Sequence, residues 1–148
     1  MKNKAAFWIQ IGAISGLLAV TLGALAAHGL EEPLKKYAGI TKKVVGEEVP
    51  GPLKYLGDFK TAAEYQMYHS LALIAVGLLS LKAPGKALNV AGWSFLVGIL
   101  LFSGSLYFLV LSGVLFLGAI TPLGGIAFLV GWGSLFVAAR GVSKAEGP

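Results

Sequence analysis

Residues 58–81 read DFKTAAEYQMYHSLALIAVGLLSL, a polar helix entrance that turns into a long apolar run. Its first half holds Glu64, Tyr65, Gln66, Tyr68 and His69, and from Leu71 onward only Gly77 and Ser80 interrupt the large apolar and alanine residues. No water-soluble surface carries such a run, so the stretch reads as one span of a membrane protein. Composition agrees: the 148-residue chain is 56% hydrophobic, with a mean hydropathy of +0.77, beyond what a globular core needs. The net charge of +5 would raise nucleic acid as a partner in a polar chain. Here the Lys and Arg lie outside the apolar runs, which suits a lipid bilayer with anionic head groups and argues for no nucleic acid. The absence of cysteine excludes disulfides, thiolate metal sites and thiol nucleophiles.

Working outward, residues 5–27 carry no charge and are long enough, at 1.5 Å per residue, to cross about 30 Å of hydrocarbon. A secretory signal is the rival reading, since Lys2 and Lys4 precede the run and Ala24-Leu25-Ala26 ends it. The run is longer than a usual signal core of about 7–15 residues. A second span covers 61–81, with Thr61-Ala62-Ala63-Glu64 as its capping box. A third covers 87–112 after the Pro84-Gly85 hinge, and a fourth covers 121–139, opened by Thr121-Pro122 and closed by Arg140 and Lys144. Residues 29–60 are the long polar connection, with six Lys against five acids and with Pro33, Pro50 and Pro52 breaking any long helix. They predict a surface loop with short interfacial pieces around Leu34, Tyr37, Tyr55 and Phe59.

The expected architecture is therefore all-α: one polytopic membrane domain over 1–148, four transmembrane helices in an antiparallel bundle, and a long loop between helices 1 and 2. Gly12, Gly16 and Gly23 form a small-residue stripe on the first helix, Gly98 serves the third, and Gly124 and Gly131 serve the fourth, all as helix-packing positions. Lys and Arg tie at six on each side. The charge-free connection 113–120 and the mixed charge of the long loop tip both termini toward the cytoplasm, for an inner-membrane protein.

Antiparallel spans bring most of their polar side chains into the loop-side half of the bilayer: His28, Thr61, Glu64, Tyr65, Gln66, Tyr68, His69, Ser103, Ser105, Tyr107 and Thr121. On a helical wheel Thr61, Glu64, Tyr65, Tyr68 and Ala72 share an arc of about 100°, with His69 at its edge. That arc is expected to face other helices, because lipid-facing ionisable groups are costly. One reading is a proton or ion relay between Glu64 and His69. The plainer one has Glu64 capping its helix, the tyrosines in an interfacial belt and His69 bonding a serine across a helix contact. A hydrolase would use Ser103 or Ser105 with His69 and Glu64, but FSGSLY (102–107) lacks a nucleophile turn. Two histidines without HxxxH spacing argue against a metal site, and no cofactor motif is present.

LGALAAHGL (22–30), FKTAAEYQMYHSLAL (59–73), LFSGSLYFL (101–109), TPLGG (121–125) and Gly131-Trp132, in this order, resemble the small four-span inner-membrane proteins grouped as domain of unknown function 423. The resemblance implies signature status for Ala27, His28, Gly29, Thr61, Tyr65, Gln66, Tyr68, His69, Ser103, Gly104, Ser105, Tyr107, Thr121, Pro122, Gly124, Gly125 and Trp132. It implies a fold and a location but no activity, substrate or cofactor. The first loop looks longer than the family's, with extra sequence around 40–52 whose role the family does not supply. The function expected is that of a non-catalytic accessory or scaffold subunit in a homo-oligomer or larger membrane complex. The alternative is a small proton-coupled transporter or lipid or ion handler built on Glu64 and His69.

Overall fold

The structure is a computed structural model that describes residues 2–145, with side chains described over 4–140. Helix α1 (Lys2–His28) is followed by the short α2 (Glu31–Leu34) and a 3-10 turn (Lys35–Tyr37). An antiparallel hairpin of β1 (Thr41–Val44) and β2 (Glu47–Pro50) leads into α3 (Gly51–Lys82). Then come α4 (Lys86–Gly98), a π-helical stretch (Ile99–Gly104), α5 (Ser105–Ser112), a second 3-10 turn (Leu115–Ala119) and α6 (Thr121–Ala145).

Three stretches are long and apolar enough to cross a bilayer: Lys4–His28, Lys86–Ser112 and Leu115–Arg140. Helix α3 has the length, 32 residues, but its polar middle from Glu64 to Ser70 keeps it out of that group. The outer surface of the apolar helices is inverted relative to a soluble protein. Leu17, Leu100, Phe108, Leu129 and Phe136 are each more than 60% exposed, which suits contact with acyl chains.

Helix α3 starts ten residues before Thr61. Pro50 takes the N-cap position and Pro52 the first turn, where a missing N–H costs nothing. Thr61 and Glu64 therefore lie in mid-helix and form no capping box. The polar connection is not a plain loop either. The hairpin sets Lys43 opposite Glu48, and its turn places Val45 at φ 50° and Gly46 at φ 89°. Two positive φ angles suit a tight primed turn, with Val45 strained in a region that β-branched residues avoid.

Helix α1 buries Ala5, Trp8, Gly12, Ser15, Ala19 and Ala26, a spacing near 3.5 residues that makes one seam along α3. Along that seam Gly77 meets Ala5 and Ile9 while Gly12 meets Ser70 and Ile74, so the two helices run in opposite directions. A Cβ on Gly12 would come 2.7 Å from the Ser70 carbonyl oxygen. The chain's own α3 thus fills the face that Gly12 and Gly16 were expected to offer to any helix. Gly16 has ordinary room, and a Cβ on Gly23 would meet nothing within 4 Å. Against α6 the fit is glycine to phenylalanine: Gly98 to Phe128, Gly124 to Phe102 and Gly131 to Phe95.

At the loop end a second core gathers Ala26, Leu30, Leu34, Tyr37, Tyr55, Phe59, Leu109 and Val110. Here the polar segment caps a helix terminus. The Tyr37 hydroxyl reaches the carbonyls of Leu109 at 3.1 Å and Val110 at 3.0 Å, and Lys36 Nζ reaches that of Leu111 at 2.5 Å. Val110 and Leu111 are among the last carbonyls of α5, which have no partner within the helix, while that of Leu109 also accepts the Gly113 N–H at 2.8 Å. Gly113, at φ 84°, ends the helix in the left-handed region.

Gly124→Ala should lower thermal stability in detergent by about 1–3 kcal/mol, because the new methyl overlaps the Phe102 backbone. Gly125→Ala, with nothing within 4 Å of its Cβ, should leave stability unchanged or slightly raised. Equal effects of the two substitutions would contradict the packing described. Burial, and secondarily the neighbouring Tyr55, pushes the Tyr37 hydroxyl above its ordinary pKa of 10.0. A raised pKa means that this group's contribution is complete below pH 10 and is lost as pH rises through the folded value. Wild type should therefore lose more stability than Tyr37→Phe when unfolding is measured above pH 10.

Candidate functional site

The inward side of α3 is a row of small and polar residues: Ala62, Ala63, Gln66, His69, Ser70, Leu73, Val76 and Gly77 are all buried. Gln66 is the centre of the first polar knot. Its Nε2 donates to the Ser15 carbonyl at 3.0 Å, and its Oε1 accepts from the Tyr107 hydroxyl at 2.9 Å. Ser70 lies 2.6 Å from the Gln66 carbonyl and 2.8 Å from the Ser15 hydroxyl. With one proton, Ser70 donates to the carbonyl and accepts from Ser15. One amide side chain thereby joins α1, α3 and α5.

His69 is the centre of the second. Trp132 donates its indole N–H to Nε2 at 3.2 Å, and Nδ1 lies 2.7 Å from the Tyr65 carbonyl. An indole only donates and a carbonyl only accepts, so the ring is a neutral imidazole with its proton on Nδ1. It stacks flat on Phe128, with ring centres 3.4 Å apart. A third link sets the hydroxyls of Ser105 and Thr121 2.8 Å apart, between α5 and α6. Thr121 thus directs its hydroxyl to a neighbouring helix.

The arc expected to face other helices is split: Ala72 is buried in the core and Tyr65 stacks on Phe102, whereas Glu64 and Tyr68 lie on the outside. Glu64, Tyr65 and Tyr68 are exposed, while Gln66 and His69 point inward. The small residues on the Gln66 side admit α1 closely, and Glu64 and Tyr68 are left outside. Glu64 and His69 therefore share no hydrogen bond among the described residues, and the relay pair is not brought together. Both His69 nitrogens are occupied, so neither reaches Ser103 or Ser105, and no Ser-His-Glu set is assembled. His69 bonds an indole rather than the expected serine. Ser103, in the π-helical stretch, is buried with no partner for its hydroxyl. His28 lines a shallow cleft with Glu31 and Leu56 at the loop end, and Thr61 is half-buried; both stand outside the knots. Among the described residues no three His, Cys, Asp or Glu side chains converge on a common point.

The residues missing from the expected cluster are Ser15, Ser70 and Trp132. Ser15 was hidden in the small-residue stripe of the first span, and Ser70 stands next to His69. Trp132 carried a signal only through the Gly131-Trp132 motif.

Long apolar helices with outward-facing hydrocarbon surfaces and inward polar knots define an α-helical integral membrane protein. The family model described as a protein of unknown function (DUF423) matches residues 22–125. The UPF0382 membrane protein YwdK of Bacillus subtilis is 44% identical over 89% of this chain and 94% of its own length. A UPF0382 membrane protein of Staphylococcus epidermidis is 42% identical over 88% and 93%, and one of Haemophilus influenzae is 41% identical over 91% and 92%. The chain belongs to the DUF423 family of membrane proteins. No solved structure matches it.

Gln66→Leu removes the bonds to Ser15 and Tyr107, and at about 0.6 kcal/mol for an average bond between membrane helices it should lower stability by roughly 1–2 kcal/mol. Gln66→Glu keeps an acceptor for Tyr107 but loses the donor to Ser15 and buries an ionisable group, so its cost should grow as pH rises through the carboxyl's titration. Nitrogen-15 NMR of labelled His69 should show the Nδ1–H tautomer at neutral pH. The Nε2–H form in wild type, or no change on Trp132→Phe, would count against the Trp132 bond.

Proposed function

We propose that the protein is a non-catalytic accessory or scaffold subunit of the inner (cytoplasmic) membrane, without cofactor. In this reading α1, α3, α4–α5 and α6 form four antiparallel spans with both termini in the cytoplasm. The chain associates with itself or with a larger membrane complex. The observation that carries the proposal is Glu64. It is exposed on α3 beside Tyr65 and Tyr68, which are 39% and 55% exposed. Gln66, two residues on, is bonded to Ser15, which stands eleven residues from Lys4, or about 16 Å along α1. Glu64 thus lies at a depth where the neighbouring helices present hydrocarbon-facing side chains. A carboxylate on a lipid-facing surface is costly, and a partner side chain offsets that cost. The interior knots support the same reading, since their bonds tie the chain's own helices together.

Gentle extraction followed by native mass spectrometry tests this. A particle heavier than one 15.4 kDa chain, holding a second copy or another membrane protein, is expected. Glu64→Ala should shift it toward the single chain, while the exposed Val20→Ala on α1 should not. A single chain in wild type across mild detergents would overturn the proposal. Proton flux in proteoliposomes that disappears in Glu64→Gln and His69→Ala would replace it with a transporter.

A further inference from the structure

At the end of the molecule opposite the hairpin, a cavity of about 510 Å3 opens where α1, the last turn of α3 and the start of α4 meet. Lys4, Lys86 and Asn89 line it together with the indole of Trp8. A neighbouring cavity of about 260 Å3 shares Lys4, Trp8 and Asn89 and continues past Phe7 and Trp93. The two make one groove with a cationic, amide-bearing head and an aromatic tail. The three rings hold one another, Phe7 to Trp8 at 4.9 Å and Trp8 to Trp93 at 5.4 Å between centres. Trp8 in turn lies against Gly92, where a Cβ would come 2.6 Å from the indole.

The charge of the head is not matched within the described residues. The ion pairs there are Lys35–Glu32 and Lys54–Asp58, both at the hairpin end. Every acidic residue except Glu146 lies between positions 31 and 64. Gly85, the N-cap of α4, provides no side-chain cap, so the first amides of that helix add to the positive field. Lys4 and Lys86 each stand at the start of an apolar helix, the level at which phospholipid head groups lie, and tryptophan favours that same level.

We infer that this groove binds one anionic phospholipid, its phosphate between Lys4, Lys86 and Asn89 and an acyl chain along the exposed rings of Phe7 and Trp93, which the buried Trp8 backs. Charge complementarity selects an anionic ligand, and the aromatic tail at membrane level selects one with a hydrocarbon chain. A zwitterionic lipid brings its own cation against the two lysines and fits less well.

The test uses the full chain in detergent micelles doped with phosphatidylglycerol or phosphatidylcholine, with bound lipid read by native mass spectrometry. Wild type should retain one phosphatidylglycerol in preference to phosphatidylcholine. Lys4→Gln and Lys86→Gln should each weaken phosphatidylglycerol binding about fivefold, and the double variant roughly 25-fold, from the usual worth of a lysine near an anionic membrane surface. Both lysines are exposed, so the variants keep the fold. Lys82→Gln, an exposed lysine that does not line the groove, should retain wild-type binding. Equal retention of the two lipids by wild type would overturn the inference, as would equal losses in Lys82→Gln and Lys86→Gln. Displacement of the lipid by millimolar inorganic phosphate would also overturn it, reassigning the head of the groove to a soluble anion.

Discussion

The carboxamide of Gln66 is the constraint on which the arrangement of the helices depends. In a bilayer, apolar helices gain little by touching each other rather than lipid, so the hydrophobic effect does not choose their rotation or depth. Directional bonds and close steric fits must do it. Gln66 reaches Ser15 on α1 and Tyr107 on α5 from one position on α3, fixing three helices in depth at once. Because an amide has a distinct donor and acceptor, the two partners are not interchangeable. A one-turn slip of either helix would leave a polar group facing hydrocarbon.

The steric fits complete what Gln66 begins. Glycines on α4 and α6 receive phenylalanines from the opposite helix, and Gly92 receives Trp8. Gly92, Gly98 and Gly131 let an aromatic ring approach the backbone, and Gly124 lets the Phe102 backbone approach, so contact is made with dispersion rather than with water exclusion. Between α4 and α5 the π-helical stretch changes the hydrogen-bond spacing and turns later residues about the axis. Phe95 and Gly98 before it and Ser105 after it meet α6, and Tyr107, two residues past Ser105, reaches Gln66 on α3. One continuous rod thereby serves two neighbours. The unpartnered hydroxyl of Ser103 lies in this same stretch.

The sequence was legible where the bilayer leaves few choices. Apolar length marked helices at 5–27, 87–112 and 121–139, because an uninterrupted run has few other uses. It was less legible where several physical terms compete. Pro50 and Pro52 read as helix breakers, yet at the N-cap and in the first turn proline is harmless, so α3 extends back to Gly51. The charges of residues 41–50 read as a solvated loop. Cross-strand pairing such as Lys43 opposite Glu48 fits those same charges into a hairpin whose Val45-Gly46 turn is a weak signal. Glu64 and Tyr68 face outward against expectation because the wheel was oriented by polarity. Ala62, Ala63, Ser70 and Gly77 decide it instead, since only their side admits another backbone closely.

That difference bears on how the polar residues divide between inside and outside. Gln66, His69, Ser70 and Tyr107 have their bonding capacity directed at named atoms of the same chain. A proton carrier must exchange partners, whereas His69 is held between a group that only donates and one that only accepts. Glu64, Tyr65 and Tyr68 face outward on the same helix. A helix that was polar merely to bind its neighbours would need no carboxylate on its far side. The inner polar row gives α3 its place in the chain; of the outer row, Tyr65 still stacks on Phe102, while Glu64 and Tyr68 take no part in joining the helices.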